Sequence, residues 1–316
     1  MDRLALNGPT MGTRWSAVFY ASSAEQTGLT EALQAAVDAV DDTMSTWKPD
    51  SALMRLNRTP PGTWMPASLQ LCAIMALSLQ IGQASQGAFD IGVGDAVNAW
   101  GFGAARPEPD SHAIASLHSQ QSAAGAVEVD MDGGRLRRLQ AVQLDLCGIA
   151  KGHGVDCLAG VLLAQGIEDF VVCIDGEVRA RGTRPDGSGW LVGLERPERD
   201  KRVLARTIAV SDLAMATSGD YRQFRRHGDA VVSHTIDPRS GAPLQSAVCA
   251  VTVTAEHCAA ADAWATALMV LGEDAGPAMA AEQGLDALFT LRRPEGLHDI
   301  GVGAFAALST HTTGGL

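Results

Sequence analysis

Helix-type and strand-type apolar patterns alternate along this chain without a fixed period, and this irregular order limits the folds open to it. Between Ala24 and Met44, apolar residues recur at the three- and four-residue spacing of a helix. Three β-type runs, Phe170–Arg181, Gly189–Glu195 and Leu204–Val210, then follow one another with only turn residues between them. Because a doubly wound sheet needs a helix after each strand, this order favours an α+β fold.

The remaining elements fit the same interpretation. Further helices are predicted at Pro66–Gln83, Gly148–Gln165, Ala259–Leu271 and Gly276–Gln283. Gly166 is expected just after the end of the second of these. Pro66 is expected in the first turn of its helix. Further strands are predicted at Arg14–Tyr20, Ala126–Val129, Leu136–Leu144, Ala230–Ile236, Cys249–Thr254 and Ala287–Leu291. Since no internal repeat and no linker divides the chain, residues 1–316 are expected to form one domain.

The charge balance argues against nucleic acid as the main partner. The 316 residues carry a formal net charge of −12, whereas binding to a nucleic-acid backbone needs clustered Lys and Arg. A phosphate-bearing small molecule is still compatible with this charge, because a divalent cation and backbone N–H groups neutralise phosphates locally. The six cysteines contain no Cys-x-x-Cys pair, which argues against a zinc cluster.

The sequence leaves two locations in the cell open. No stretch approaches the roughly 20 apolar residues that span a bilayer, so a membrane-spanning protein is not expected. Residues 1–10 also lack the charged-then-apolar pattern of a secretory signal. The protein is therefore expected to be periplasmic or attached to the inner membrane if an export signal has been trimmed, and cytoplasmic otherwise.

The segment 144–156 places a lysine at the start of a predicted helix. It reads LDLCGIAKGHGVD, in which an apolar run leads through Asp145 and Gly148 to Lys151. A strand followed by glycine and a helix N-terminus offers N–H groups to an anion, and Lys151 would add positive charge there. The alternative is a turn in which the glycines only satisfy backbone geometry.

Two further segments contain side chains with ligand or acid–base chemistry. Asp262 and Thr266 lie four residues apart in a predicted helix, so their oxygens face the same way. A carboxylate and a hydroxyl suit magnesium, while the alternative is that Asp262 interacts with the helix dipole and Thr266 packs. His234 precedes a turn and is either a catalytic base or a structural hydrogen-bonding residue.

Three apolar residues in the N-terminal part lie beside glycines and turns. They are Met11, Trp47 and Phe89. A planar ring such as isoalloxazine or adenine would stack on such groups. Ordinary core packing explains each of them equally well.

Taken in order, these segments resemble those of the FAD:protein FMN transferase family, also called ApbE. The resemblance runs from Met11 to Gly272, and the matching segments read MGTRW, MSTWKPDSALMRLN, GAFDIGVG, WGFG, LDLCGIAKGHGVD, ATSGDY, SHTIDPRSGAP and ADAWATALMVLG. It implies a T-fold-like α+β architecture of mostly antiparallel sheets packed with helices. It also implies one catalytic domain that acts on FAD.

The resemblance implies roles for individual positions. FAD contacts are implied for a set of mostly N-terminal residues, namely Met11, Trp47, Ala88, Phe89, Asp90, Asp145, Lys151 and Ile236. A magnesium ion is implied at the Asp262 carboxylate, the Thr266 hydroxyl and the backbone carbonyl of Gly148. Catalytic roles are implied for Asp262, Thr266, Lys151 and His234.

The implied reaction is a magnesium-dependent phosphoryl transfer. FAD is cleaved, FMN is joined through a phosphoester to a Thr or Ser of a target flavoprotein, and AMP leaves. The acceptor is expected to be a subunit of a membrane redox complex. Two alternatives are a magnesium-dependent FAD pyrophosphatase that releases FMN and AMP, and a non-catalytic flavin-binding or carrier protein.

The chain departs from the family pattern in one loop. The family usually has two glycines before an acidic residue, whereas this chain has Asp175-Gly176-Glu177. The change adds a carboxylate and restricts the backbone. The resemblance therefore applies more directly to the metal site than to the positioning of substrate near this loop.

Overall fold

Strands far apart in sequence lie side by side in one large sheet. A computed structural model describes residues 2–21, 28–104, 108–117, 122–227 and 230–309. In chain order the strands are β1 (Asp2–Thr10), β2 (Thr13–Ala21), β3 (Met65–Pro66), β4 (Val127–Asp130), β5 (Arg135–Arg138), β6 (Phe170–Ile174), β7 (Glu177–Arg181), β8 (Trp190–Glu195), β9 (Leu204–Val210), β10 (Leu213–Gly219), β11 (Phe224–His227), β12 (Ala230–Ser233), β13 (Ile236–Asp237), β14 (Ala242–Pro243), β15 (Val248–Ala255), β16 (Asp286–Arg293) and β17 (Gly296–Val302).

The helices lie between these strands at irregular intervals. They are α1 (Leu29–Met44), α2 (Ala52–Arg58), α3 (Leu69–Ala84), α4 (Gly94–Ala99), α5 (Ser111–Ala115), α6 (Ala150–Ala164) and α7 (Cys258–Glu282). The main sheet has eight strands in the order β1-β2-β6-β7-β10-β15-β16-β17. Neighbouring strands in it are antiparallel, which confirms the predicted α+β fold.

Each face of the main sheet packs against a different layer. On one face, α1 and α6 help to bury Trp15, Phe19 and Phe170 of β2 and β6. Helix α7 covers β10, β15 and β16 on the same face. On the opposite face, the β8–β9 hairpin encloses a second core that includes Val178 and Met215. The alternation of side chains along a strand separates these two cores.

Two local features shape the end of the sheet where the site lies. β1 and β2 are joined by Met11 (φ 43°) and Gly12 (φ 73°), and positive φ at both residues is typical of a two-residue hairpin turn. β10 pairs with β7 only over Leu213–Met215, but it pairs with β15 as far as Gly219. The end of β10 therefore extends past the β6–β7 turn and leaves a notch in the sheet.

Most predicted elements are present, and the differences have local causes. The two predicted C-terminal helices are separated at Gly272, whose φ of 78° interrupts α7. The prediction for Pro66 is wrong, because α3 begins after Ser68, whose hydroxyl accepts the Leu71 N–H. β1, β10, β17 and α2 were not predicted. In β1, Asn, Gly and Pro interrupt the apolar alternation.

The remaining predictions concern the end of one helix, the start of another and membrane-spanning helices. Gly166 follows α6 with a φ of 73°, as predicted for a residue just after a helix. Residues 24–27 of the first predicted helix lie outside the described residues. Within the described ranges, no helix is both long enough and apolar enough to cross a membrane.

Candidate active site

The residues assigned to a site from the sequence all line one cavity at the notch in the sheet. Its volume is about 1290 Å³. Small-molecule sites usually measure roughly 300–1,000 Å³, so this cavity has room for a dinucleotide and more. The predicted residues that line it are Met11, Trp47, Ala88, Phe89, Asp90, Asp145, Gly148, Lys151, His234, Ile236, Asp262 and Thr266.

Asp262 is oriented by a close contact between two helices. Gly152 of α6 lies so near α7 that a β-carbon there would be 2.4 Å from the carbonyl oxygen of Cys258. This approach lets the Gly152 N–H donate to Asp262 Oδ2 at 3.0 Å. Gly152 therefore serves helix packing and does not offer its N–H to a bound anion. Burial and then the charge of Glu177 raise the pKa of Asp262 to about 7.

Asp262, Thr266 and Gly148 supply the oxygen types that magnesium prefers. The Thr266 hydroxyl is 2.9 Å from Ser218 Oγ of β10. A β-carbon at Gly148 would lie 3.5 Å from Thr266 Oγ1 and 3.1 Å from a ring carbon of Phe89, so this stretch of backbone is held close to Thr266. A carboxylate, a hydroxyl and a carbonyl are hard oxygen ligands.

The surroundings of Asp262 also fit a bound cation. The carboxylate is only 4% exposed, and a cation would offset the cost of burying its charge. Within the described ranges, no three His, Cys, Asp or Glu side chains form a metal-binding group. A magnesium ion at Asp262 would therefore also need oxygens from water or substrate, as is usual for this metal.

Lys151 is fixed in the cavity by Glu177 of β7. Its Nζ is 2.7 Å from Glu177 Oε1, and the Glu177 side chain is only 1% exposed. Burial alone would lower the pKa of Lys151, but the charges of Glu177 and Asp262 outweigh burial and raise this pKa above its ordinary value. Lys151 therefore keeps its positive charge in the cavity.

His234 is a neutral, half-buried imidazole. Its Nδ1 is 3.1 Å from the carbonyl oxygen of Gln223. Burial lowers the pKa of His234 to about 4. Because a carbonyl only accepts hydrogen bonds, we assign the proton to Nδ1, which leaves the Nε2 lone pair able to accept a proton. The structural hydrogen bond and a role as a base are thus compatible.

The acidic residues near the N-terminal part of the cavity are used to hold its loops. Asp90 Oδ1 accepts the N–H of Gly92 at 2.7 Å. Asp145 Oδ1 accepts the N–H of Cys147 at 2.7 Å.

Trp47 also lines the cavity, and its side chain is 64% exposed. Its indole ring is therefore available for stacking against a planar ligand.

Asp175, at the departure from the family pattern, adopts a conformation that favours glycine. Its φ is 58°, and the N–H of Gly176 donates to the carbonyl oxygen of Ile174 at 2.8 Å. Asp175 is thus the central residue of a three-residue turn with positive φ, which is strained for a side chain with a β-carbon. This strain is a specific feature of the β6–β7 turn in this chain.

The carboxylate of Asp175 begins a row of ion pairs that lines the cavity. It lies 3.3 Å from Nη2 of Arg202, and Nη1 of Arg202 lies 3.0 Å from Glu195. Glu195 also pairs with Arg222. We call these four residues the charged clasp. The clasp joins the β6–β7 turn to the β8–β9 hairpin, and each of its members lines the cavity.

Replacing Asp175 by glycine is expected to stabilise the protein by about 1 kcal/mol. Relief of the positive φ is worth roughly 1–3 kcal/mol, and loss of an exposed ion pair costs roughly 0.2–1 kcal/mol. Urea unfolding measures the difference. Asp175→Asn is the control, because it tolerates positive φ but removes the charge. A glycine variant less stable than the wild type would contradict the inferred strain.

Several site residues were not assigned from the sequence. Ser218 had a usable signal, since alternation along β10 places it with Ala214 and Ala216 on the face that α7 covers. Arg202 and Glu195 had no such signal in the sequence, because their pairing depends on how the β8–β9 hairpin folds over the sheet. Glu177 was noticed only as part of the departure from the family pattern.

Comparison with known proteins agrees with the fold. The model of the ApbE family matches residues 11–289. A protein of Vibrio cholerae serotype O1 named FAD:protein FMN transferase is 34% identical over 314 residues, which cover 96% of this chain and 92% of that protein. The one from Escherichia coli strain K12 is 32% identical, with 89% and 82% covered. The solved structure of the flavin transferase ApbE from Vibrio cholerae has a TM-score of 0.86 at 32% identity, with 98% and 99% covered. The chain therefore belongs to the ApbE family.

Proposed function

We propose that this chain is a magnesium-dependent FAD:protein FMN transferase that works as one catalytic domain. The reaction joins FMN through a phosphoester to a Thr or Ser of an acceptor flavoprotein and releases AMP. The observation that carries the proposal is the grouping of Asp262, Thr266 and Gly148 with Lys151 in one large cavity. The names of the relatives support the same two substrates, FAD and a protein.

We infer that Asp262, Thr266 and the Gly148 carbonyl hold the magnesium ion. When bound, the ion would offset negative charge on the pyrophosphate oxygens of FAD. Gly152 orients the Asp262 carboxylate through its N–H. A hydrogen bond between the two hydroxyls, 2.9 Å apart, holds Thr266 against Ser218. These contacts preorganise the oxygens before substrate arrives.

Lys151 faces the transferred phosphate of FAD, and the residues of the N-terminal part contact its rings. Held by Glu177, the Lys151 ammonium is positioned to stabilise charge that develops on the transferred phosphate. Trp47 offers aromatic surface to a flavin or adenine ring, whereas Phe89 is only 4% exposed and lines the cavity as part of the core. Met11, Ala88, Asp90, Asp145 and Ile236 complete the proposed flavin-binding wall.

The protein acceptor supplies the attacking hydroxyl. Its oxygen forms a bond to the FMN phosphorus, and the bond from this phosphorus to the bridging oxygen breaks. AMP leaves with the bridging oxygen. The hydroxyl proton passes to Nε2 of His234, whose lone pair is available because Nδ1 carries the proton that is donated to the Gln223 carbonyl.

His234→Asn is expected to lower the rate of FMN transfer by about 100-fold, since a positioned base contributes roughly 10²–10⁴-fold. The asparagine amide can still donate to the Gln223 carbonyl, so the melting temperature and the FAD dissociation constant should stay near those of the wild type. Stopped-flow fluorescence with saturating acceptor measures the rate. A wild-type rate in this variant would remove His234 from the mechanism.

The decisive assay separates transfer from hydrolysis and from simple binding. The protein is incubated with FAD, magnesium and a candidate acceptor subunit of a membrane redox complex, and the mixture is separated under denaturing conditions. Flavin fluorescence that stays with the acceptor supports transfer. Free FMN and AMP without labelled acceptor would support the alternative pyrophosphatase, and unchanged FAD would support a carrier. Mass spectrometry of the acceptor identifies the modified residue.

A further inference from the structure

Helix α7, which carries Asp262 and Thr266, receives no cap from the residue before it. His257 precedes the helix, and its side chain makes no capping hydrogen bond. The first N–H groups of a helix have no partner within the helix. Here the first two belong to Cys258 and Ala259, and both residues are buried. Because buried N–H groups are nearly always hydrogen-bonded, these two need a partner from elsewhere in the protein.

Asp156 of the neighbouring helix α6 is that partner. Its Oδ1 accepts the N–H of Cys258 at 3.0 Å, and its Oδ2 accepts the N–H of Ala259 at 3.0 Å. A carboxylate at this position also interacts favourably with the dipole of α7. Asp156 therefore caps α7 from another helix, in the role that a Ser or Asp directly before a helix usually has.

The cap is the second of two contacts by which α6 holds the start of α7. Gly152 lies one turn before Asp156 on α6, so both residues face the same neighbour. Gly152 donates its N–H to Asp262 Oδ2, while Asp156 holds the turn of α7 that precedes Asp262. Together these contacts fix the position of α7 along α6. Thr266 lies one turn beyond Asp262, so its position depends on the same contacts.

Asp156 is in turn fixed by the main sheet. Nη1 of Arg179 on β7 lies 2.6 Å from Asp156 Oδ1, and both side chains are largely buried. Glu177 lies two residues earlier on the same face of β7 and holds Lys151. β7 therefore positions the Lys151 ammonium directly, and it positions the start of α7 through Asp156.

Loss of the cap would reach the site only through α7. Within the described ranges, neither Asp156 nor Arg179 lines the cavity. Without the carboxylate, the N–H groups of Cys258 and Ala259 would be buried and unpaired, which is costly enough for the first turn of α7 to shift or unwind. Such a shift would move Asp262 away from the position that Gly152 and the cap define.

We propose that Asp156 is a positioning residue for the metal site, because its cap on α7 sets where the oxygens of Asp262 and Thr266 lie. This inference rests on the proposed function, in which those oxygens hold magnesium. It assigns to Asp156 an effect on magnesium affinity and none on the chemistry of the bound substrate. Arg179 supports the same effect by holding the carboxylate in place.

Asp156→Ala is expected to weaken magnesium binding about tenfold in calorimetric titration, since partners that orient metal ligands are worth roughly 10–100-fold in affinity. At saturating magnesium, the rate of FMN transfer should return to within about threefold of the wild-type rate, because the groups that act on FAD are unchanged. Amide hydrogen exchange in the first turn of α7 should be faster without metal. Asp156→Asn should lie between the two proteins, because its amide oxygen accepts one of the two N–H groups.

Asp110→Ala is the matched control. Asp110 Oδ1 accepts the N–H groups of His112 and Ala113, at 2.9 Å and 3.0 Å, at the start of α5. The substitution therefore removes an aspartate cap of the same kind from a helix whose described residues do not line the cavity. Its magnesium affinity should equal that of the wild type.

The outcomes separate this inference from the proposed function. A wild-type protein that transfers FMN without binding magnesium refutes the proposed metal site, and the inference with it. If the wild type binds magnesium and Asp156→Ala lowers only the melting temperature, Asp156 is a structural cap and the inference is wrong. An equal loss of magnesium affinity in Asp110→Ala would also overturn it. If Asp156→Ala does not fold, wild-type magnesium affinity in Asp156→Asn would have the same consequence.

Discussion

Asp262→Asn is expected to reduce magnesium-dependent FMN transfer by about a thousandfold, since each group that stabilises charge in a transition state is worth roughly 10²–10³-fold. The protein should fold at least as stably as the wild type. Burial and the nearby Glu177 raise the pKa of Asp262 to about 7, so the folded protein without metal gains nothing from this ionised carboxylate. The amide keeps an oxygen that can accept the Gly152 N–H.

Two measurements are needed for Asp262. Single-turnover transfer gives the rate, and calorimetric titration with magnesium gives the affinity for the metal independently of activity. Asp262→Ala should lose the same activity but should also lose the Gly152 hydrogen bond, so its melting temperature falls below that of the asparagine variant. Full magnesium-dependent activity in either variant would refute the metal assignment.

Lys151→Met is expected to lower the free energy of unfolding by about 2–3 kcal/mol, since breaking a buried ion pair costs roughly 3–5 kcal/mol. The expected loss lies below the usual range for a buried pair because the Lys151 side chain is 33% exposed and water screens its charge. The substitution leaves the carboxylate of Glu177 without its cation at a position that is only 1% exposed. FMN transfer should also be lost, because Arg202 and Arg222 of the clasp, which also line the cavity, are already paired with carboxylates and do not replace the ammonium.

A second substitution separates the two effects at Lys151. Glu177→Gln in the Lys151→Met background removes the unpaired charge and should restore the free energy of unfolding to within about 1 kcal/mol of the wild type. Transfer activity should not return. Urea unfolding and the labelling assay give the two readings. Recovery of activity in the double variant would show that Lys151 acts only through stability.

The sequence predicted the α+β class and most elements because these depend on short-range patterns. The amphipathic spacing before Met44 and the apolar run of β15 are each visible within a few residues. β1 was missed because it gains stability by pairing with β2 rather than from its own composition. Similarly, the start of α3 depended on the cap at Ser68 rather than on the proline before it.

By itself, the sequence determined the family and the residue types of the candidate site, because motifs such as those around Lys151 and Asp262 are local and ordered along the chain. Only the tertiary structure decided how these motifs meet. The contact of Gly152 with α7, the pairing of Lys151 with Glu177, and the clasp from Asp175 to Arg222 join residues that are far apart in sequence. Such contacts depend on strand order and on the packing of layers, and no local pattern encodes them. The notch at the end of the sheet has the same origin, since it forms where β10 extends past β7.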